Sequence, residues 1–322
     1  SGDAIGRSVL RFLLRGERDL EVEVRANTLC VVGVNSSPTM TTAWRAARLG
    51  AGFGAASATL VLGEAWHVYR KFRLPPEATG PTEGVCRAPA PRRTLAAAAA
   101  LSPAPPRANI VFLGDSLVTG VGCSAEAGAG PTLPRSAAGA LAERLGRDVS
   151  WAAIGETGAD VPMLATKMLP TLRGEVQRCE RAGERVDHVV VMCGLNDIKA
   201  CFLHVQPWRH PGAYRRAMGD LAASIREAAG PQCRVWFPEL PLEPAPRFRG
   251  IPPLSNLVHT VASLWERQKR QLADGGAPGV GVVDANVARV RMDWYCDDGM
   301  HPNDLGYREW GEIIADTIVA PK

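Results

Sequence analysis

The chain has 322 residues, 46% hydrophobic and 22% charged, with a net charge of +4. These values fit an ordinary soluble globular protein and exclude a disordered, collagen-like or small disulfide-framework chain. Residues 1–107 carry 14 Lys/Arg against 8 Asp/Glu and the remainder 23 against 25, so the basic excess is N-terminal and the larger part has no nucleic-acid signature.

The chain opens on Ser1, which marks it as a fragment or processed product, with Met40 as an alternative start. Residues 1–39 mix charge with short apolar runs such as Leu29-Cys-Val-Val-Gly-Val34 and show no recognisable chemistry. Arg45 and Arg48 then precede 15 uncharged positions, Leu49 to Gly63. Basic residues ahead of such a stretch resemble a signal sequence or short membrane anchor over 45–66. The stretch is shorter than the roughly 20 apolar residues of a full span, so a packed helix competes with that reading. Export or membrane association and a soluble intracellular location both stay open. The segment 1–74 is followed at 75–107 by 8 of the chain's 25 prolines and the run Ala96–Ala100, a composition expected of a linker. A folded domain is expected over 108–322.

That domain begins with Asn109-Ile-Val-Phe-Leu-Gly-Asp-Ser116, an apolar run ending in glycine that reads as a buried parallel strand. Chemistry in such sheets gathers beyond the carboxyl ends of the strands, where Ser116 falls. Asp115-Ser116 is equally suited to capping a helix. Downstream, Leu133–Gly146 reads as a helix, Asp148–Ile154 as a strand ahead of the turn Gly155-Glu-Thr-Gly158, and Val161–Leu172 as a helix. Val186–Cys193 is a strand running into Gly194-Leu-Asn-Asp197, followed by a loop over Ile198–Pro211. Gly212–Gly230 is an amphipathic helix, Arg234–Phe237 a strand, Leu254–Leu272 a helix, Val280–Asp284 the last strand and Asp304–Val319 the closing helix behind an Asn303 cap. Alternating strands and helices predict a doubly wound parallel sheet.

Four turns carry the candidate chemistry. Ser116 ends the first strand, Gly158 and Gly194-Leu-Asn196 follow the second and third, and Cys296-Asp-Asp-Gly-Met-His-Pro-Asn303 precedes the last helix. Asp298 and His301 on one tight turn are placed for the carboxylate to orient the imidazole, and the imidazole to take a proton from a serine. Taken alone, Asp-x-x-His is also a common capping turn. Backbone N–H groups of Ser116 and Gly158 and the Asn196 amide form a donor set suited to a developing oxyanion.

The blocks Gly114-Asp-Ser-Leu117, Gly158, Gly194-Leu-Asn-Asp197 and Asp298-Gly-Met-His-Pro-Asn303, in that order, resemble the SGNH or GDSL hydrolases, serine esterases and lipases. The resemblance covers about 108–320. It implies an α/β fold, a three-layer α/β/α flavodoxin-like sandwich with a parallel sheet. It implies Ser116 as nucleophile, His301 as general base, Asp298 as its orienting carboxylate, and Ser116, Gly158 and Asn196 as the oxyanion hole. The chain departs from the family where Ala152-Ala153 replaces an asparagine often found before the second glycine. Gly155 competes with Gly158 for the oxyanion role, and Asp297 with Asp298 for the orienting one. Asp115 and Asp197 are expected to fix their turns. The implied substrate is a small-molecule or lipid ester, with no nucleic acid partner and no cofactor or metal. An acyltransferase using the same site and a non-catalytic lipid- or glycan-binding module are the alternatives. The loops Ile198–Pro211 and Pro238–Pro253 follow strands at the same rim and are expected to shape the substrate pocket. The eight cysteines show no Cys-x-x-Cys pair or metal spacing,.

Overall fold

The computed structural model describes residues 8–12, 20–25, 28–31, 59–68, 70–89, 106–124, 128–249, 252–285 and 287–320. The chain divides into two compact units, Ser1–Gly63 and Glu64–Lys322. In the first, β1 (Ser8–Phe12), β2 (Leu20–Arg25) and β3 (Thr28–Val31) form an antiparallel three-stranded sheet. The candidate anchor at 45–66 falls outside the described residues up to 58, and 59–68 is helical. No helix among the described residues is long and apolar enough to cross a membrane.

The second unit is built on a six-stranded sheet in the order β4-β6-β5-β7-β8-β9. Its strands are β4 (Glu83–Cys86), β5 (Ala108–Gly114), β6 (Val149–Gly155), β7 (His188–Met192), β8 (Arg234–Pro238) and β9 (Val280–Val283). All neighbours pair parallel except β4, which runs antiparallel to β6 along the edge. The five parallel strands follow the 2-1-3-4-5 order of flavodoxin-like folds, whose crevice opens between the first and third strands. Those strands are β5 and β7.

The presence of β4 corrects the expected linker. Residues 75–107 are not linker throughout, because Glu83–Cys86 adds a strand to the sheet. Its half-exposed alternation marks a short polar edge strand, which proline content alone obscures.

The apolar runs of β5 and β7 are buried on both faces, as central parallel strands require. Their side chains alternate between two cores. Ile110, Phe112, Val190 and Met192 face one, shared with α2 (Thr132–Leu145) and α7 (Asp304–Val319). Val111, Leu113, Val189 and Val191 face the other, shared with α3 (Leu169–Arg181) and α5 (Pro211–Ala229). Trp265 of α6 (Leu254–Asp274) joins this second core. The helix expected at Val161–Leu172 runs on to Arg181, with a π-turn at Leu164–Met168.

Two shorter helices sit at the carboxyl rim: α1 (Ser116–Thr119), directly after β5, and α4 (Leu195–Phe202), directly after β7. The stretch expected as loop from Ile198 is therefore helical through Phe202. Two turns are too few to display a 3.6-residue period.

Candidate active site

Ser116 is the first residue of α1, and its turn is fixed by chemistry that only this sequence supplies. The Asp115 carboxylate caps the helix, accepting from the Leu117 N–H at 3.1 Å. Gly114 admits no side chain: a Cβ would lie 2.6 Å from the Met192 carbonyl oxygen and 2.8 Å from Val118. The turn into Ser116 can therefore pass over β7 only as glycine.

His301 reaches the same point from the opposite end of the chain. Helix α7 packs on α2 closely enough that a Cβ at Gly311 would lie 2.7 Å from the Ala137 nitrogen. The buried Tyr307 donates its hydroxyl to the Val121 carbonyl at 2.8 Å, and Asp304 accepts from Thr132 at 2.7 Å and from the Ser124 N–H at 3.0 Å. Asn303 caps α7 through Gly306 N–H at 3.0 Å, a bond typically contributing about 1 kcal/mol. The loop ahead of it closes through Cys296 N–H to His301 O at 2.9 Å and the Tyr295–Pro302 bridge. His301 is thus held from both sides.

Within this frame His301 Nε2 lies 3.0 Å from Ser116 Oγ, across 185 positions of sequence. On the far side of the ring, Nδ1 lies 2.6 Å from Asp298 Oδ2. The other Asp298 oxygen accepts from the Met300 and His301 N–H groups, both at 2.8 Å, and from the Cys296 thiol at 3.2 Å. Burial on its own would raise the Asp298 carboxyl. The hydrogen bonds from the His301 ring and the two amides outweigh it and hold the group below the usual carboxylate range,. All three side chains are buried. Asp298, rather than Asp297, is the carboxylate brought to the imidazole.

Asn196 stands at the start of α4, beside the turn that carries Ser116. Its amide nitrogen donates to Asp115 Oδ2 at 3.1 Å and to the Ala159 carbonyl at 2.9 Å, so both amide hydrogens are engaged within the protein. Gly158 has φ +91°, a conformation suited to glycine, and open space where a Cβ would stand,. Gly155 is different in kind. It ends β6 opposite Gly114, and a Cβ there would lie 3.1 Å from Thr119 and Val118. Among the described residues the backbone N–H groups of Ser116 and Gly158 make no hydrogen bond, leaving both free to donate.

Two residues that sequence reasoning missed couple these turns. Thr119 of α1 and Thr157 share a hydrogen bond of 2.8 Å, and the Glu156 N–H donates to Gly114 O at 3.1 Å. No block in the sequence signals either link, since threonine in a turn has many uses. Asp197 does not fix its own turn by a local bond: its Oδ1 accepts from the Val161 N–H at 3.2 Å, 36 positions away, tying α4 to the helical run after Gly158. Burial raises its carboxyl to about 7, with the Val161 hydrogen bond opposing.

Among the described residues the remaining titratable groups do not compose a second catalytic set. Burial lowers His188 to about 4, and burial raises the thiols of Cys193, Cys233 and Cys296 to about 12. Such thiols are poor nucleophiles and poor metal ligands at neutral pH. Among the described residues no cluster of His, Cys, Asp and Glu could hold a metal ion.

Comparison with known proteins places the chain. Its residues 112–309 match the GDSL-like lipase/acylhydrolase family. Similar solved structures include a variant of Axe2, an acetyl-xylooligosaccharide esterase from Geobacillus stearothermophilus, at 14% identity and TM-score 0.49, over 66% of this chain and 95% of that one. LAE5, an α/β hydrolase from the metagenome of Lake Arreo, Spain, is similar at 18% identity and TM-score 0.47, over 66% and 93%. A lipase, Lip_vut3, from a goat rumen metagenome is similar at 18% identity and TM-score 0.45, over 66% and 95%. No curated protein matches the chain. The family match spans more than half of the sequence and takes in both Ser116 and the turn bearing Asp298 and His301: the chain belongs to the GDSL-like lipase/acylhydrolase family and is a carboxylic ester hydrolase.

Proposed function

We propose that the protein cleaves carboxylic esters through an acyl-enzyme formed on Ser116, with His301 as general base and Asp298 as its orienting group. The observation that carries this reading is the continuous chain from Ser116 Oγ through the His301 ring to Asp298, with contacts of 3.0 and 2.6 Å. Contacts of this length are within reach for proton transfer without rearrangement. Asp298, kept ionised, fixes the tautomer with Nδ1 protonated and Nε2 free to accept.

In the first half-reaction His301 Nε2 takes the Ser116 hydroxyl proton as Oγ bonds to the ester carbonyl carbon. The carbonyl oxygen becomes an oxyanion facing the N–H groups of Ser116 and Gly158. Asn196 contributes by sharing one of the two hydrogens it gives to Asp115 and Ala159. The intermediate collapses as His301 returns the proton to the departing alkoxide, releasing the alcohol. In the second half-reaction His301 takes a proton from water, whose oxygen attacks the acyl carbon. Collapse returns the proton to Ser116 and releases the acid.

The test compares the parent with Ser116→Ala on chromogenic esters of increasing acyl length. Loss of the nucleophile should lower kcat by roughly 10⁴-fold or more, with the variant still folded. A folded parent that turns over no ester and is not labelled by a serine-reactive phosphonate overturns the reading. The acyl length that reacts best then separates a short acetyl-type pocket from one for lipid esters.

A further inference from the structure

The end of α4 and the stretch after it depart from an ordinary soluble surface. Phe202, Leu203, Val205 and Trp208 are 54, 69, 74 and 67% exposed. Single exposed apolar residues are common, but large ones gathered in one segment mark an interaction surface. The segment is held in place by its own bonds. The His204 N–H donates to Lys199 O at 3.1 Å and the Gln206 N–H to Ala200 O at 3.2 Å. Val205 has φ +53°, unfavourable for a β-branched residue. The backbone thus holds an exposed valine in a conformation it disfavours, and neither effect is relieved by burial.

This surface borders the active site at two points. Helix α4 carries Asn196 at its start and Phe202 at its end. Arg209 pairs with Asp160, two residues beyond Gly158. Arg209 is taken up by Asp160, so the exposed cations are Arg215 and Arg216 in the first turns of α5, with the exposed Asp220 one turn further along. An apolar strip beside exposed arginines is complementary to an anionic lipid surface. Phe202, Leu203 and Trp208 are side-chain types that bury at a lipid boundary.

We propose that Phe202–Trp208, flanked by Arg215 and Arg216, is a docking surface for an anionic lipid surface and presents the Ser116 site to esters there. The use of the surface rests on the esterase reading, whereas the binding itself does not require Ser116 chemistry.

The full chain carrying Ser116→Ala is sedimented with vesicles of phosphatidylcholine containing about one-third phosphatidylserine, and with phosphatidylcholine alone. Binding to the mixed vesicles, weakened by added salt, is expected. Leu203→Ser with Val205→Ser should weaken it by about ten-fold or more. Arg215→Gln with Arg216→Gln should weaken it by on the order of ten-fold on mixed vesicles only. Both pairs should leave the far-ultraviolet circular dichroism and the melting temperature of the chain unchanged, which shows that it is still folded. The proposal is overturned by a parent that ignores vesicles, by arginine and aliphatic variants that bind as the parent does, or by retention on insoluble xylan without vesicle binding. Vesicle binding that follows these expectations in a parent inactive on soluble esters would keep the docking surface and sink the esterase reading.

Discussion

Asn196 gives an amide hydrogen to Asp115, with 3.1 Å between Nδ2 and Oδ2. The residue preceding Ser116 therefore also orients the side chain proposed for the oxyanion. One buried carboxylate serves both turns, since its other oxygen caps the helix that starts at Ser116 through Leu117. Burial raises the Asp115 carboxyl, and the Leu117 hydrogen bond opposes it.

The first prediction follows from that shared carboxylate. Asn196→Ala should lower kcat by on the order of 100–1,000-fold with little change in KM, because a donor to the developing charge is lost. Asp115→Asn should lower kcat less, by misplacing the Asn196 amide rather than removing it. The double variant should fall short of the product of the two effects, since both act through one contact. Fully multiplicative losses would separate Asp115 from Asn196 function.

Asp298 supports a second prediction. Asp298→Asn removes the acceptor that holds the Nδ1 proton of His301 and should lower kcat by roughly 10⁴-fold. Asp297→Asn should leave the rate within about two-fold, since the imidazole contact is made by Asp298 and remote surface changes are usually small. Steady-state kinetics of the two variants decide between the neighbouring carboxylates. A large loss in the second would reassign the orienting role.

The two glycines after β6 supply a third prediction, because an added methyl meets different surroundings at each. At Gly155 it would press on Val118 and Thr119 at 3.1 Å, so Gly155→Ala should cost stability, about 1–3 kcal/mol as overpacking. At Gly158 there is room for the methyl, but φ +91° is strained for alanine, and the turn must shift to relieve it. Gly158→Ala should therefore lower kcat by roughly ten-fold or more, through its displaced N–H. Thermal melts and initial rates on both variants measure the contrast. The reverse pattern would give Gly155 the oxyanion role.

Much of this was legible in the chain. The buried runs at Ile110–Leu113 and Val189–Met192, the Gly/Asp/Ser turn and the Asp298-to-His301 spacing are local signals, and local signals survive in sequence. What sequence did not show depends on distant partners or on elements too short to be periodic. Helix α4 has eight residues, and β4 hides among prolines. The bond from Asn196 to Asp115 spans 81 positions, and that between Thr119 and Thr157 spans 38. Each forms only because β6, β5 and β7 lie side by side. The different surroundings of Gly155 and Gly158 likewise depend on the packing of α1 against β6.

The buried Asp197 yields the last prediction, one of stability. Its Oδ2 has no partner among the described residues, and burial lifts the carboxyl from 3.8 to about 7. Between those values the native protein holds a proton that the unfolded chain has released, so stability falls as pH rises. Above about 7 the native carboxyl is charged and the whole cost is felt, up to about 4 kcal/mol by linkage. Below about 4 both states are protonated and the cost vanishes. Asp115 and Glu266 are shifted the same way by burial, so the informative quantity is the difference between parent and Asp197→Asn. That variant keeps an oxygen for the Val161 N–H and cannot ionise. It should match the parent in melting temperature near pH 4 and exceed it by several degrees at pH 8, where each kcal/mol is worth roughly 2–4 °C in a domain of this size. A difference that does not grow between pH 4 and 8 would show that Asp197 remains ionised in the native protein.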